Sequence, residues 1–389
     1  MSVTKAKCIG YLGTKTGIAD PIFATLVQRE QDLESKNFYD LFGGGGSMSS
    51  FFAEAGWNVL YNEFNNNIKS LFEYVVLDKL PDSFWTKPEW VSREKFKDVV
   101  TNQSKYDPWF VGYCQACWSF SGTQDSYMYG DLYEEYKKLV HDCYVYWENG
   151  EPQQEAVDAY NRLKEVIAGL TFFGESLPFE SDLPLFRMTS LTEIKNWANQ
   201  SLKVIVDIWN RHNQDNKFKT AQELNAYLKK NAKGSPEAQD FNVLYIFVQS
   251  FGRLEWNSKL VSLEPLRGMT KNTTGQITFK WGSYDEVDIP DGSLVYCDPP
   301  YAKTASYASN SEGGFDHGKF WQWVREKSKT CSVYVSEETA PDDFYSILDI
   351  PLARGLGSGK GDGTKKIAIE KLFVHESKLT EKDRQDLGL

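Results

Sequence analysis

Asp298, Pro299, Pro300 and Tyr301 stand in a row directly after the apolar run Leu294-Val295-Tyr296-Cys297. The run reads as a buried strand, and Pro299 ends it because proline has no N–H to give to a ladder. Each proline also fixes φ, and Pro300 restricts the residue before it. The result is a stiff corner at a strand end that presents a carboxylate, a backbone carbonyl and an aromatic ring. An ordinary strand-end turn would read the same way; so would a place where chemistry needs rigid geometry.

A second stretch with chemical content is "DLFGGGGS", Asp40 to Ser47. Glycines let a backbone approach a ligand closely, and a helix N-terminus behind them offers free N–H groups. Glu63 stands at the end of the next strand-like run, "NVLYNEF". A carboxylate at such a strand end can accept both hydroxyls of a ribose; an exposed strand-end acid is the plainer reading of Glu63 alone. The dinucleotide fingerprint G-x-G-x-x-G is absent, since Gly44 and Gly46 are followed by Met48 and Ser49. A nucleoside cofactor without a pyrophosphate, such as S-adenosylmethionine, fits the loop Phe42-Gly43-Gly44-Gly45-Gly46 better.

The elements that must position these residues can be read from periodicity. "NFYDLF", the glycine turn, Ser47 to Ala55 and "NVLYNEF" predict strand, turn, helix, strand, which is the start of a parallel sheet with helices on its faces. From Gln276 onward, "QITFKW", "SLVYCDPP", "TCSVYVSEE" and "KKIAIEKLFVHE" are strand-like. "HGKFWQWVREKSK" is an amphipathic helix with Phe320, Trp323 and Val324 on one face. The stretch between is mostly helical in pattern and rich in Trp and Tyr. We therefore divide the chain into 1–76 and 276–389, two halves of one α/β domain, and 77–275, an insertion. "TSLTEIKNWANQSLKVIVDIWNRHNQ" from Thr189 reads as an amphipathic helix pair. "RGLGSGKGDGTKK", Arg354 to Lys366, reads as a flexible basic loop.

Composition narrows the partners. The 389 residues are 41% hydrophobic, enough for a sizeable core. No run of about 18 apolar residues occurs, so no membrane span is expected, and the N-terminus lacks the pattern of a secretory signal. Six cysteines without framework spacing suggest reduced thiols and a cytoplasmic protein. The net charge is −11, yet Arg187 to Lys271 holds 13 Lys and Arg against 8 Asp and Glu, so a basic face on an acidic body remains open. Cys114-x-x-Cys117 with His141 and Cys143 has the composition of a zinc site, but the setting "GYCQACWSF" is core-like, and no metal is expected. Trp118, Phe120 and Tyr127 have rings that can stack on bases or pack in a core.

Together the Phe42–Ser47 loop and the Asp298–Tyr301 corner, in this order, resemble the adenine-specific DNA methyltransferases of the Dam type (D12 class), phage-type members in particular. "GYLGTKTGIADPIF" from Gly10 is similar to the N-terminal cofactor motif of that family, and "CWSFSGTQDSYMYG", "SEETAPDDF" and "EKLFVH" are similar to further segments. The resemblance implies a Rossmann-like S-adenosylmethionine-dependent methyltransferase sheet with a large, mostly helical inserted target-recognition domain. Tyr11 and Lys15 match positions that contact the cofactor, Lys15 through its methionine carboxylate. Asp40, Phe42, Gly43, Gly44, Gly46 and Ser47 would line the same pocket, and Glu63, where the family usually has Asp, would hold the ribose. Tyr284 falls at the aromatic of the pair that contacts the cofactor's adenine, whereas Ser283 replaces the acid of that pair.

The implied reaction explains the stiff corner. The N6 of adenine is a poor nucleophile because its lone pair is delocalised into the ring. Two acceptors on its hydrogens, the Asp298 carboxylate and the Pro299 carbonyl, favour a more tetrahedral nitrogen, and Tyr301 offers a face for the base. A base inside a duplex cannot reach such a corner and must be flipped out. Arg253, Lys259, Arg267 and Lys271 are candidates for phosphate or base-edge contact, and Tyr307 for closing over the flipped base. The expected partner is double-stranded DNA, the expected state a monomer, with a cognate restriction nuclease left open. N4-cytosine methylation, methylation of a protein glutamine amide, and a catalytically silent DNA binder are the alternatives.

Overall fold

Apolar strands separated by glycine turns and amphipathic helices build a sheet covered by helices. The computed structural model is a mixed α/β fold with a seven-stranded sheet. It describes all residues except 1–5, 11–14, 32–35, 149–150, 178–190, 253–254, 301–314 and 354–366. Contacts divide the chain into two units. One is Met1–Leu80, Lys97–Ser126 and Lys259–Leu389, and the other is Pro81–Phe96 with Tyr127–Ser258. Residues 97–126 and 259–275, read from sequence as part of the insertion, thus pack with the sheet.

In the first unit the strands are β1 (Asn37–Asp40), β2 (Asn58–Glu63), β3 (Ile277–Trp281), β4 (Leu294–Cys297), β5 (Ser332–Glu337), β6 (Phe344–Ala353) and β7 (Ile367–His375). Their order across the sheet is β6-β7-β5-β4-β1-β2-β3. All neighbours are parallel except β7, which runs antiparallel to both β5 and β6. Central parallel strands are covered on both faces, and every residue of β4 is buried. Helix α1 (Ala19–Arg29) and α2 (Ser47–Glu54) cover one region through Phe23, Phe51 and Phe52, with Phe52 stacked on Phe38 of β1. Helix α3 (Asn66–Val76) places Phe72 against Tyr61 and Phe279, and α4 (Pro108–Cys117) packs on α3. Helix α5 (His317–Lys327) starts where the Asp316 side chain accepts the Lys319 N–H, and buries Phe320, Trp321 and Val324. Strand β6 was not legible in sequence. It carries Pro351, which an edge strand tolerates and a central strand does not, and β6 lies at the sheet edge.

The C-terminal helix α6 (Glu381–Leu387) is held by one arginine. Arg29 of α1 donates to both Asp383 oxygens at 2.7 Å, to the Lys378 carbonyl at 2.9 Å and to the Tyr334 hydroxyl at 3.2 Å. Burial alone would raise the Asp383 carboxyl, but the bonds from Arg29 and Thr380 outweigh it and hold it below the usual range. A depressed carboxyl stabilises the fold above its unfolded pKa, and that stability is lost as pH falls through the folded value. Arg29→Met is therefore expected to lower stability by about 1–3 kcal/mol at pH 7, and by less at an acid pH, as Asp383 takes up its proton. Urea titrations at the two pH values measure the difference.

The second unit is helical, with helices at Asp131–Val145, Gln154–Gly169, Leu191–His212, Ala221–Asn231 and Pro236–Gly252. The expected helix pair from Thr189 is one continuous helix of 22 residues. No glycine or proline interrupts it, and Asn199 and Gln200 near its middle face solvent. His141 is fully buried, with Nε2 2.9 Å from the Pro88 carbonyl oxygen and Nδ1 3.0 Å from Asp142 Oδ1. Cys114 and Cys117 are buried in α4 of the first unit, and burial pushes the Cys117 thiol up to about 12. Among the described residues no cluster of His, Cys, Asp and Glu has the form of a metal site, and no helix is long and apolar enough to cross a membrane.

Candidate active site

The strand order reverses direction in the chain between β1 and β4, and crevices outside the carboxyl ends of strands at such a switch point are where open α/β sheets bind ligands. Asp40 ends β1, the glycine loop follows it, and Asp298 follows β4. The two motifs singled out in the sequence thus meet at one sheet edge.

The loop is shaped by what surrounds it. A Cβ on Gly43 would lie 2.2 Å from the Tyr61 ring, and one on Gly46, at φ +79°, would lie 2.2 Å from the Phe72 ring. Glycine is required at both. The Gly43 N–H donates to the Asn62 carbonyl at 2.8 Å, and the Tyr61 hydroxyl donates to the Gly44 carbonyl at 2.7 Å. The N-terminal segment runs along the loop, with the Ile9 N–H donating to the Gly45 carbonyl at 2.8 Å and the Ser50 hydroxyl to the Lys7 carbonyl. Ser47, the first residue of α2, is buried, and its hydroxyl has no hydrogen-bond partner among the described residues. A buried hydroxyl without a partner is costly and marks a place for a ligand or water.

Carboxylates gather around this loop. Glu63 accepts the Gly44 N–H on Oε2 and the Asn65 N–H on Oε1, both at 2.8 Å. Each oxygen keeps a further lone pair. Burial raises its pKa, against those backbone donors. Asp40 is fully buried and accepts the Ser49 hydroxyl at 2.7 Å. Burial, with the charges of Asp298 and Glu63, pushes it up to about 7 against the bond from Ser49. Asp298 lies with its Oδ1 2.9 Å from Lys15 Nζ, and Glu370 Oε1 is 3.1 Å from the same ammonium. Burial raises Asp298 to about 6, Lys15 opposes the rise and Glu370 adds to it. For Lys15, burial pulls downward, and the two carboxylates outweigh it, so it stays charged.

On the far side of the loop Phe42 stacks on Tyr284, with ring centroids 5.4 Å apart. Tyr284 is wrapped by Phe315, Phe320 and Trp323. Ser283 precedes it and caps a short turn. Its hydroxyl donates to Asp285, whose other oxygen is 2.6 Å from Lys319 Nζ, so the Asp285 carboxylate is already engaged.

Of the residues singled out in sequence, Lys15, Asp40, Phe42, Gly43, Gly44, Gly46, Ser47, Glu63, Tyr284, Asp298, Pro299 and Pro300 are described and lie in the first unit. Tyr11, Arg253, Tyr301 and Tyr307 lie outside the described residues. Lys259 reaches toward Gly10, where an added Cβ would be 3.3 Å from its Nζ. Arg267 and Lys271 both bind Asp78, at 2.7 and 2.6 Å. Trp118 is buried, the Tyr127 hydroxyl donates to the Val91 carbonyl, and Phe120 is exposed.

Sequence reasoning passed over three residues at this edge. Glu370 opens the segment "EKLFVH" but was given no role, since it touches Lys15 only through the fold. Phe64 and Trp281, at the adjoining ends of β2 and β3, are 62% and 60% exposed, and the Trp281 indole donates to the Phe64 carbonyl. A strand-end aromatic directly after Glu63 was the available signal.

Residues 189–347 match the family model of the D12 class N6 adenine-specific DNA methyltransferases, a span that holds β3, β4 and the Asp298–Tyr301 corner but not the glycine loop. No curated protein matches the chain.

Proposed function

We propose that this chain is a D12 class N6 adenine-specific DNA methyltransferase, as the match over residues 189–347 supports, and that it transfers a methyl group from S-adenosylmethionine to the N6 of an adenine flipped out of duplex DNA. The observation that carries the reading is the Asp298 carboxylate, followed by two prolines, at the carboxyl end of β4 beside the glycine loop. When bound, the cofactor supplies an electrophilic methyl on a sulfonium. All else falls to the chain's own residues.

The sheet order supports a Rossmann-like assignment. Read from β3, it is 3-2-1-4-5-7-6, the doubly wound order 3-2-1-4-5-6 with one antiparallel strand slotted in before the edge. The pocket suits the cofactor. Gly43 and Gly46 let the loop lie flat against the Tyr61 and Phe72 rings, and Ser47 has a buried hydroxyl to offer. Each Glu63 oxygen can accept a ribose hydroxyl beside its backbone donor. Phe42 and Tyr284 supply an aromatic wall for adenine. Lys15 is bonded to Asp298 and Glu370 and would share its charge with the cofactor's carboxylate.

Asp298 and the Pro299 carbonyl would take the two N6 hydrogens, with Tyr301 stacking on the base. The helical unit would read the target in double-stranded DNA, as the inserted part of a catalytic domain formed by 1–76 and 276–389, with Arg253, Lys259, Arg267, Lys271 and Tyr307 toward the nucleic acid. Because six cysteines without framework spacing suggest reduced thiols, and flipping one base needs one chain, the protein would be a cytoplasmic monomer.

Three outcomes check the reading. Incubation of unmethylated duplex with methyl-labelled S-adenosylmethionine is expected to put label into DNA; bound cofactor without labelled DNA would overturn it. Glu63→Gln is expected to weaken S-adenosylmethionine and S-adenosylhomocysteine equally, by about tenfold, since both carry the ribose. The hydrogen-accepting form of Asp298 is the carboxylate, so kcat should fall as pH drops through about 6 and level off above it. A pH–rate profile flat through that range would contradict the role of Asp298.

A further inference from the structure

One buried amide has no role in the reaction so far. Asn62, the residue before Glu63 in β2, is fully buried. Its Nδ2 donates to the Leu41 carbonyl at 3.0 Å and to the Gly282 carbonyl at 3.1 Å. A carbonyl oxygen only accepts, so these two neighbours fix which end of the amide faces them. The other end, Oδ1, has no hydrogen-bond partner among the described residues. A buried acceptor left in that state is costly, and it calls for a donor. Its place in the fold limits which donor. Leu41 precedes Phe42, and Gly282 stands two residues before Tyr284, so the amide ties together the two segments that carry the aromatic wall. Asp298, where the target amine would be held, follows β4, on the other side of β1 from β2. Of the polar side chains beside Gly282, the Ser283 hydroxyl donates to Asp285, and Asp285 pairs with Lys319.

We propose that Asn62 selects the base of the cofactor, its Oδ1 accepting an N–H of the exocyclic amine of adenine. The inference rests on the S-adenosylmethionine reading above. An amine at position 6 of a purine brings the donor that Oδ1 lacks. A carbonyl at that position sets lone pair against lone pair, and a hydrogen there leaves Oδ1 as it was. A site built around a buried acceptor rejects a ligand without the donor more strongly than an apolar site can. The pocket therefore takes a 6-aminopurine nucleoside and discriminates against 6-oxopurines. Asn62 meets the cofactor far from the sulfonium, so it sets which cofactor binds and not how fast the methyl moves.

Calorimetric titration tests this with S-adenosylhomocysteine and its analogue bearing hydrogen in place of the 6-amino group, on the native chain, Asn62→Leu and Asn62→Ser. The readout is the ratio of the two dissociation constants. The native chain is expected to hold the amine-bearing compound about tenfold to a hundredfold more tightly. In Asn62→Leu, which has no acceptor, the ratio is expected to fall to about one. Asn62→Ser, whose hydroxyl is too short to stand where Oδ1 stands, is expected to behave alike. A purely structural role would weaken both compounds together and leave the ratio as it was. Binding of the analogue shows that a variant is folded; if Asn62→Leu does not bind it, Asn62→Ser carries the test. A native ratio near one, or a native preference kept in a folded variant, overturns the inference while leaving the cofactor reading intact. A native chain that binds neither compound overturns both.

Discussion

Asp298→Asn is expected to lower kcat by about 10²–10⁴-fold, with S-adenosylhomocysteine binding retained. The amide is the same size, but its NH₂ group puts a donor where an acceptor is needed. It also keeps the Lys15–Glu370 ion pair, so the local structure has no reason to collapse. The residual rate should lose its dependence on pH near 6, because the group that titrates there is gone. Single-turnover kinetics with saturating duplex isolates the chemical step. A variant that turns over within a few-fold of the native chain would remove Asp298 from the reaction and leave it as a structural partner of Lys15.

The second large effect is on the loop. Gly46→Ala forces a side chain into a left-handed backbone, at about 1–2 kcal/mol, and drives its Cβ to 2.2 Å from the Phe72 ring, for about 1–3 kcal/mol more. Phe72 cannot withdraw easily, since it is fully buried against Tyr61 and Phe279. We expect a loss of about 2–5 kcal/mol in urea unfolding, the sum of those two ranges, together with weaker cofactor binding. Adding Phe72→Leu should return part of the steric cost and none of the backbone cost. Full recovery in the double variant would show that the left-handed conformation at Gly46 is not needed.

How far the sequence could be read depended on whether a residue's role was local. "NFYDLF", the glycines and "NVLYNEF" mark their own strand, turn and strand through apolar runs and breakers, and β1, α2 and β2 lie where those marks put them. Edge strand β6 escaped because Pro351 argues against a strand in any window that ignores sheet position. The single helix at Leu191–His212 was read as a pair although no glycine or proline interrupts it. At the site, Asp298 and the glycine loop announce themselves by composition. Glu370 could not, since its meaning lies in a contact with Lys15 at the opposite end of the chain. Likewise Arg267 and Lys271 read as candidates for phosphate or base-edge contact, whereas the fold pairs both with Asp78. They would have to exchange that carboxylate for a phosphate to meet DNA.

The most direct test of the central claim is mass spectrometry of nucleosides from unmethylated duplex DNA incubated with S-adenosylmethionine and either the native chain or Asp298→Asn. N6-methyladenine from the native chain, and little or none from the variant, is the predicted result. N4-methylcytosine, or equal amounts of N6-methyladenine from both proteins, would contradict it.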